Sequence, residues 1–266
     1  MKTLILAAGY ATRLYPLTLH TTKPLLKLKN KPILDYIIDR LGAVEDNDRI
    51  YIVSNDKFYN QFAEWLSFKP EIYQNKIKLI NDGSISVEGR LGAIGDINLV
   101  IAQEVINDDL LVVAGDNLFD FDLKQFIEFG IAKLPYHSIC LYQANNGIDL
   151  TRFGIAQLNG DSQILNFEEK PTFPQSNLIA TCIYFFPKNK LHLMSEYLNL
   201  GNHNDTPGSY IRWLTQHDKV YGNIFAGVWY DLGDFDSLSQ AMIHLNGNKL
   251  TSRRMEELTS SQTEHV

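Results

Sequence analysis

The strongest constraint on the fold is an alternation, in the first half of the chain, between short aliphatic runs and segments of helical spacing. Residues 3–8, 50–54, 77–80 and 110–114 are short and rich in Ile, Leu and Val, as strands buried on both faces are. Between them, residues 32–41, 56–68 and 90–106 carry apolar side chains at helix-like intervals, with Pro32 suited to a helix start. Strand, helix, strand, repeated, calls for a parallel sheet covered by helices on both faces. The second half differs. Residues 137–143, 153–158, 164–168 and 179–186 read as strands without a regular helix between each pair, and Asn159-Gly160-Asp161 marks a hairpin. Helical patterns at 187–200 and 207–217, a strand pair near 220–229 and a helix from about Asp234 follow. The expectation is one α/β domain over residues 1–250 with a mixed sheet, and a polar tail over 251–266.

Charge and cysteine content narrow the function. A formal net charge of −7 argues against nucleic-acid binding, which needs a basic surface. It does not prevent a few cations from converging on a small phosphorylated molecule. Cys140 and Cys182 both lie in apolar, strand-like stretches, which suits a reduced pair better than a disulfide framework. The apolar start of the chain is too short for a signal sequence or a membrane span. A soluble, cytoplasmic chain is expected, and homo-oligomerisation is left open. His20, His137, His192, His203 and His217 lack metal-ligand spacing. Phe58, Phe62 and Trp65, at helical spacing, read as core.

In an open α/β sheet, ligands bind beyond the carboxyl ends of the strands. The first such end here is followed by Ala8-Gly9-Tyr10-Ala11-Thr12-Arg13. Small residues let the backbone turn sharply and bring its N–H groups against phosphate oxygens, and Arg13 adds a permanent fork-shaped charge. A strand turn with a solvated Arg is the plainer alternative. The pattern is neither a Walker loop nor the GxGxxG dinucleotide fingerprint.

The segments that follow, Tyr15-Pro16-Leu17-Thr18, Thr22-Lys23-Pro24-Leu25-Leu26 and Lys31-Pro32-Ile33-Leu34, give the loop a context. Together they resemble the sugar-1-phosphate nucleotidyltransferases, also called nucleotide-sugar pyrophosphorylases. Three later segments resemble the same family: Val113-Ala114-Gly115-Asp116-Asn117, Glu168-Glu169-Lys170-Pro171 and Trp229-Tyr230-Asp231-Leu232-Gly233. Read alone, Asp116 is a turn or N-cap residue, Glu169-Lys170 a surface turn, and Asp231 a turn beside a core Trp. The resemblance spans residues 1 to about 245 and implies a Rossmann-like three-layer α/β/α fold with a mixed, mainly parallel sheet.

The resemblance also implies roles. Asp116 and Asp231 would hold Mg²⁺, Arg13 the triphosphate, and Lys23 the phosphate charge of the transition state. Lys170 would balance the sugar phosphate and Glu169 accept from sugar hydroxyls, with the Gly154 backbone close to the sugar. Ala8, Gly9, Tyr10, Ala11 and Thr12 would line the nucleotide, and Asn81 and Gly92 fall where the family reads the base. The partners implied are a nucleoside triphosphate, dTTP or UTP, and a sugar 1-phosphate, glucose 1-phosphate being the family's commonest; no nucleic acid or membrane is implied. No acyltransferase-like β-helix domain follows the last helix, so a bifunctional enzyme is not expected.

Three departures stand out. Ala8 and Ala11 replace the commonest glycines, Thr181-Cys182-Ile183-Tyr184 replaces a Gly-x-Tyr strand, and Asn81-Asp82 stand where a Gln commonly contacts a pyrimidine. Two alternatives remain: a cytidylyltransferase acting on phosphocholine or another non-sugar phosphate, and a non-catalytic nucleotide-sugar-binding regulatory module.

Overall fold

Leu4 and Ile5, neighbours in the first strand, are both fully buried and pack into different hydrophobic clusters. That is the signature of a strand with helices on each side. The computed structural model describes residues 1–246 except 43, 45, 46, 146, 203 and 204. His203 and the 251–266 tail therefore lie outside the described residues. In chain order the elements are β1 (Lys2–Leu6), β2 (Lys27–Leu28), β3 (Lys31–Pro32), α1 (Ile33–Gly42), β4 (Arg49–Ser54), α2 (Asp56–Ser67) and α3 (Glu71–Lys76). Next come β5 (Ile77–Asn81), α4 (Gly92–Gln103), β6 (Leu110–Ala114), β7 (Asn117–Phe119), α5 (Leu123–Ala132) and β8 (His137–Gln143). The remainder are β9 (Gly154–Leu158), β10 (Ile164–Glu169), β11 (Leu178–Phe186), α6 (His192–Asn199), α7 (Pro207–His217), β12 (Val220–Phe225), β13 (Trp229–Asp231) and α8 (Phe235–Asn246).

Among the described residues the main sheet has nine strands, in the order β10-β9-β11-β6-β1-β4-β5, with β8 joining β11 to β12. The strands β6, β1, β4 and β5 run parallel, and β11 enters antiparallel to β6. The result is the expected three-layer, Rossmann-like arrangement. Helices α1, α2 and α5 cover one face through Leu34, Ile37, Phe58, Phe62 and Phe126. Helices α4, α6 and α7 cover the other through Ile94, Ile97, Met194, Tyr210 and Ile211. Each such side chain, fully buried, stabilises the fold by roughly 1.5–3 kcal/mol. A third, smaller cluster joins Leu14, Leu28, Ile33, Leu118, Leu232, Leu238 and Ala241 at the side where α8 docks.

Local chemistry fixes the element ends. The Asn55 side chain caps α2 by accepting from the Phe58 N–H at 3.0 Å. The Asn159 carbonyl accepts from Asp161 and Gln163 N–H groups at 3.0 and 2.9 Å, which makes the β9–β10 hairpin turn. The two cysteines are free. No helix among the described residues is long and apolar enough to cross a membrane.

Four expectations need correction. The 220–229 segment is not a strand pair: β12 pairs with β8 in parallel and β13 with β7. The 187–200 helix is broken, because Pro187 is extended and a short 3₁₀ turn, Lys188–Lys190, precedes α6. The 90–106 helix is shorter, starting at Gly92, whose φ of 75° is a left-handed value. Helices α3 and α5 were not expected; α5 lies between β7 and β8, its apolar face of Leu123, Phe126 and Ile127 packed into the core.

Candidate active site

The parallel registers bring the carboxyl ends of β1 and β6 side by side, with Leu6 opposite Ala114. Beyond them opens a cavity of about 420 Å³. Ala8, Gly9, Tyr10, Ala11, Thr12, Arg13, Lys23, Gly92, Asp116 and Asp231 all line it. The loop after β1 is held from behind. The Asn55 amide donates to the Ala8 carbonyl at 2.8 Å, and the Tyr10 hydroxyl donates to the Ser84 carbonyl at 3.1 Å. Ala11 has a left-handed φ of 47°, and its carbonyl accepts from the Thr18 hydroxyl at 2.7 Å. A non-glycine residue in that region costs about 1 kcal/mol or more, and such strain gathers at ligand-binding loops. Arg13 follows in a short 3₁₀ turn, Thr12–Leu14, with its side chain exposed at the mouth.

Asp116 owes its position to Gly115. The Gly115 N–H donates to the Leu6 carbonyl at 2.8 Å, and a Cβ there would lie 2.7 Å from that same oxygen. Only glycine lets the two strand ends approach this closely. Asp231 arrives from the other end of the chain because β13 pairs with β7, placing it opposite Asn117. Lys23, only 5% exposed, sits in the 3₁₀ turn Lys23–Leu25. Its Nζ donates to Asp116 Oδ2 at 2.7 Å. Burial, and next the charge of Asp116, push the Asp231 carboxyl above the usual carboxylate range, while Lys23 and Arg152 pull it back. Two acids thus share one close ammonium.

Gly154, Glu169 and Lys170 are not among the lining residues but stand beside them. The Glu169 carboxyl is clasped by two glycines: a Cβ on Gly208 would lie 1.7 Å from Glu169 Oε2, and one on Gly154 3.1 Å from it. Burial raises the Glu169 carboxyl above its ordinary range, against the neighbouring Lys170 ammonium, whose Nζ is 3.7 Å from Oε1. Lys170 is itself left-handed at φ 47°. Asn81 lies apart from the cavity wall. Its amide donates to Asp56 at 2.7 Å and accepts from the Gly83 N–H at 2.9 Å, so it is committed within its own loop.

Several cavity residues escaped sequence reasoning. Cys182 lines the wall at φ 57°, where the β11–β8 register shifts, and burial pushes its thiol up to about 12. A thiol so poised is inert at neutral pH. Arg90 and Asp205, 115 positions apart, form a bidentate pair at 3.1 and 2.8 Å on another side. Asp96 lines the cavity from α4. Its one sequence signal was an acid inside the apolar stripe of a helix.

Two carboxylates with a close ammonium, next to a backbone loop and an exposed Arg, define a class: an α/β protein with its charged site beyond the carboxyl ends of parallel strands. The chain belongs to the nucleotidyl transferase family, whose sequence profile matches residues 2–247. It is 30% identical over 235 residues to the "Bifunctional protein GlmU" of Methanocaldococcus jannaschii, covering 88% of this chain and 51% of that protein. It is 28% identical to the glucose-1-phosphate thymidylyltransferase of Neisseria meningitidis, covering 91% of this chain and 81% of that one. The chain spans about half the length of the first of these relatives. A Bacillus anthracis protein solved with a sucrose superposes at a TM-score of 0.79 with 23% identity, covering 95% of this chain and 98% of the other. A UDP-glucose pyrophosphorylase free of ligand superposes at 0.76 with 19% identity, covering 94% and 99%.

Proposed function

We propose that the chain joins a nucleoside triphosphate to a sugar 1-phosphate, releasing pyrophosphate. The carrying observation is the Lys23–Asp116 pair at 2.7 Å with Asp231 in the same cavity as the β1 loop. A sugar-phosphate oxygen attacks the α-phosphorus of the nucleotide. The new P–O bond forms as the α–β anhydride bond breaks, and pyrophosphate leaves with the electron pair. The nucleophile is already anionic, so no general base is required. The barrier is repulsion between anions, and positioned cations lower it. Arg13 holds the triphosphate and the departing pyrophosphate. Lys23 lies against the phosphate charge of the transition state, while Lys170 holds the sugar phosphate and Glu169 accepts from sugar hydroxyls.

The acid pair fits Mg²⁺. Its donors are all oxygen, and two carboxylates carry more negative charge than Lys23 balances. That matches an ion held by one or two carboxylates and completed by phosphate and water. Asp116 and Asp231 would hold it, and when bound it supplies positive charge to the phosphate oxygens. As the finer reading we favour dTTP or UTP with glucose 1-phosphate; the similarity to the Neisseria glucose-1-phosphate thymidylyltransferase supports the sugar and the first of these nucleotides. A matrix of triphosphates against sugar 1-phosphates and phosphocholine, scored by pyrophosphate release, tests this. Turnover of phosphocholine alone, or nucleotide-sugar binding with no turnover at saturating Mg²⁺, would refute it.

A further inference from the structure

Asp96 is a buried acid that the reaction above leaves unused. It sits on α4 one turn past Gly92, among Ile94, Ile97 and Val100, and is only 4% exposed. It lines the cavity, yet its Oδ1 is buried with no hydrogen-bond partner. Its other link is defined. Asp82, in the loop after β5, accepts from the Ser84 N–H at 2.7 Å and from the Ser84 hydroxyl at 2.9 Å. Asp82 is therefore held as an acceptor, and burial first, then the neighbouring Asp82, raise the Asp96 carboxyl to about 8, so at neutral pH Asp96 carries a proton. A protonated carboxyl keeps one oxygen as an acceptor, and Oδ1 is the oxygen left without a partner.

The surroundings say what would meet that oxygen. The wall near Asp96 in sequence is small and uncharged at Val87, Gly92 and Ala93. The charged groups facing it are Asp82 and Asp205, the latter paired with Arg90. A phosphate there would confront acids on several sides, whereas a flat base brings N–H donors and an apolar face. Orphaned buried acceptors are rare because each costs about 1–3 kcal/mol, so one on a side chain of the cavity wall is suited to a ligand's donor.

We infer that Asp96 accepts a hydrogen bond from an N–H of the nucleobase and thereby sets which bases the pocket takes. This inference rests on the nucleotidyl-transfer reading. A purely structural role, tying α4 to the loop after β5, would leave base preference untouched.

The test compares the wild type with Asp96→Asn and Asp96→Leu, using turnover of all common triphosphates and binding of their non-hydrolysable analogues. Asn keeps both features, an N–H for Asp82 and a carbonyl toward the cavity. It should hold the base preference to within a few-fold. It should also abolish the loss of nucleotide affinity expected of the wild type above about pH 8, where Asp96 would ionise beside Asp82 and Asp205. Leu should raise the KM for the preferred triphosphate tenfold or more, about one lost hydrogen bond, with kcat less affected and the preference flattened. Turnover with preference unchanged in the Leu variant overturns the role of Asp96 and leaves the reaction standing. Altered nucleotide binding without any wild-type turnover keeps Asp96 and sinks the reaction. Should Leu fail to fold, a pH profile unchanged in the Asn variant overturns the inference by itself.

Discussion

Replacing Lys23 with Met removes the ammonium that Asp116 and Asp231 share while keeping most of its buried stem. Lys23 is nearly buried, with a side chain 7% exposed, but that of Asp116 is 38% exposed. Breaking a fully buried pair costs about 3–5 kcal/mol, and solvent at Asp116 screens part of that. A loss of about 1–3 kcal/mol follows, or about 2–4 °C in Tm per kcal/mol for a chain near this size. The pH dependence is more telling. Asp231 is raised in the folded state, so the native protein keeps a proton that the unfolded chain has already lost. Stability therefore falls as pH rises from the ordinary carboxylate value to the folded one, at about 1.4 kcal/mol per pH unit per proton. Without Lys23, which pulls Asp231 down, that window extends upward. The gap between variant and wild type should widen as pH rises through about 6, the folded wild-type value of Asp231. Added Mg²⁺ should stabilise the variant more than the wild type, since Asp116 is no longer engaged. Urea unfolding across that range, with and without Mg²⁺, measures both. A gap constant with pH and indifferent to Mg²⁺ would falsify the shared-ammonium account.

Two further substitutions probe separate parts of the cavity. Asp116→Asn, which leaves Lys23 an amide oxygen to donate to, should keep a cooperative unfolding transition, lowered no more than by Lys23→Met, while reducing Mg²⁺-dependent pyrophosphate release by about 10²–10³, comparable to loss of one transition-state charge stabiliser; unchanged turnover would exclude Asp116 as a metal ligand. Gly208→Ala places a Cβ where Glu169 Oε2 now lies, so the carboxylate must swing away. The KM for the sugar phosphate should rise with the KM for the triphosphate unchanged, and equal effects on both would show that Glu169 does not serve the sugar.

The parallel half of the sheet was legible because its strands are self-contained aliphatic runs. The loop after β1, Lys23, Asp116 and Asp231 could be named because each lies in a local motif, although their meeting depends on β13 pairing with β7. What stayed hidden needed the third dimension. Arg90 finds Asp205 only once α4 and α7 pack on the same face of the sheet. The left-handed turn of Cys182 comes from a register shift in β11 that no run of residue types announces. Asp96 is a polar interruption of the apolar stripe of α4, and only the cavity beside it singles it out. Helix α5 was not anticipated because its ten residues fall between the aliphatic run at 110–114 and the strand at 137–143, where no pattern was assigned.

The small cluster beneath α8 has a consequence for how the charges keep their spacing. Leu14 adjoins Arg13, Leu118 lies two residues past Asp116, Leu232 follows Asp231, and Leu28 ends the short strand after the Lys23 turn. These four leucines share one hydrophobic nucleus closed by Leu238 and Ala241 of α8. The ionic groups of the cavity are therefore mounted on a common greasy bearing, and the distances among them are fixed by van der Waals packing more than by their mutual attraction. Salt, which screens the charges, should leave that spacing alone. A shift of α8 by a fraction of an ångström would move all four mounts at once.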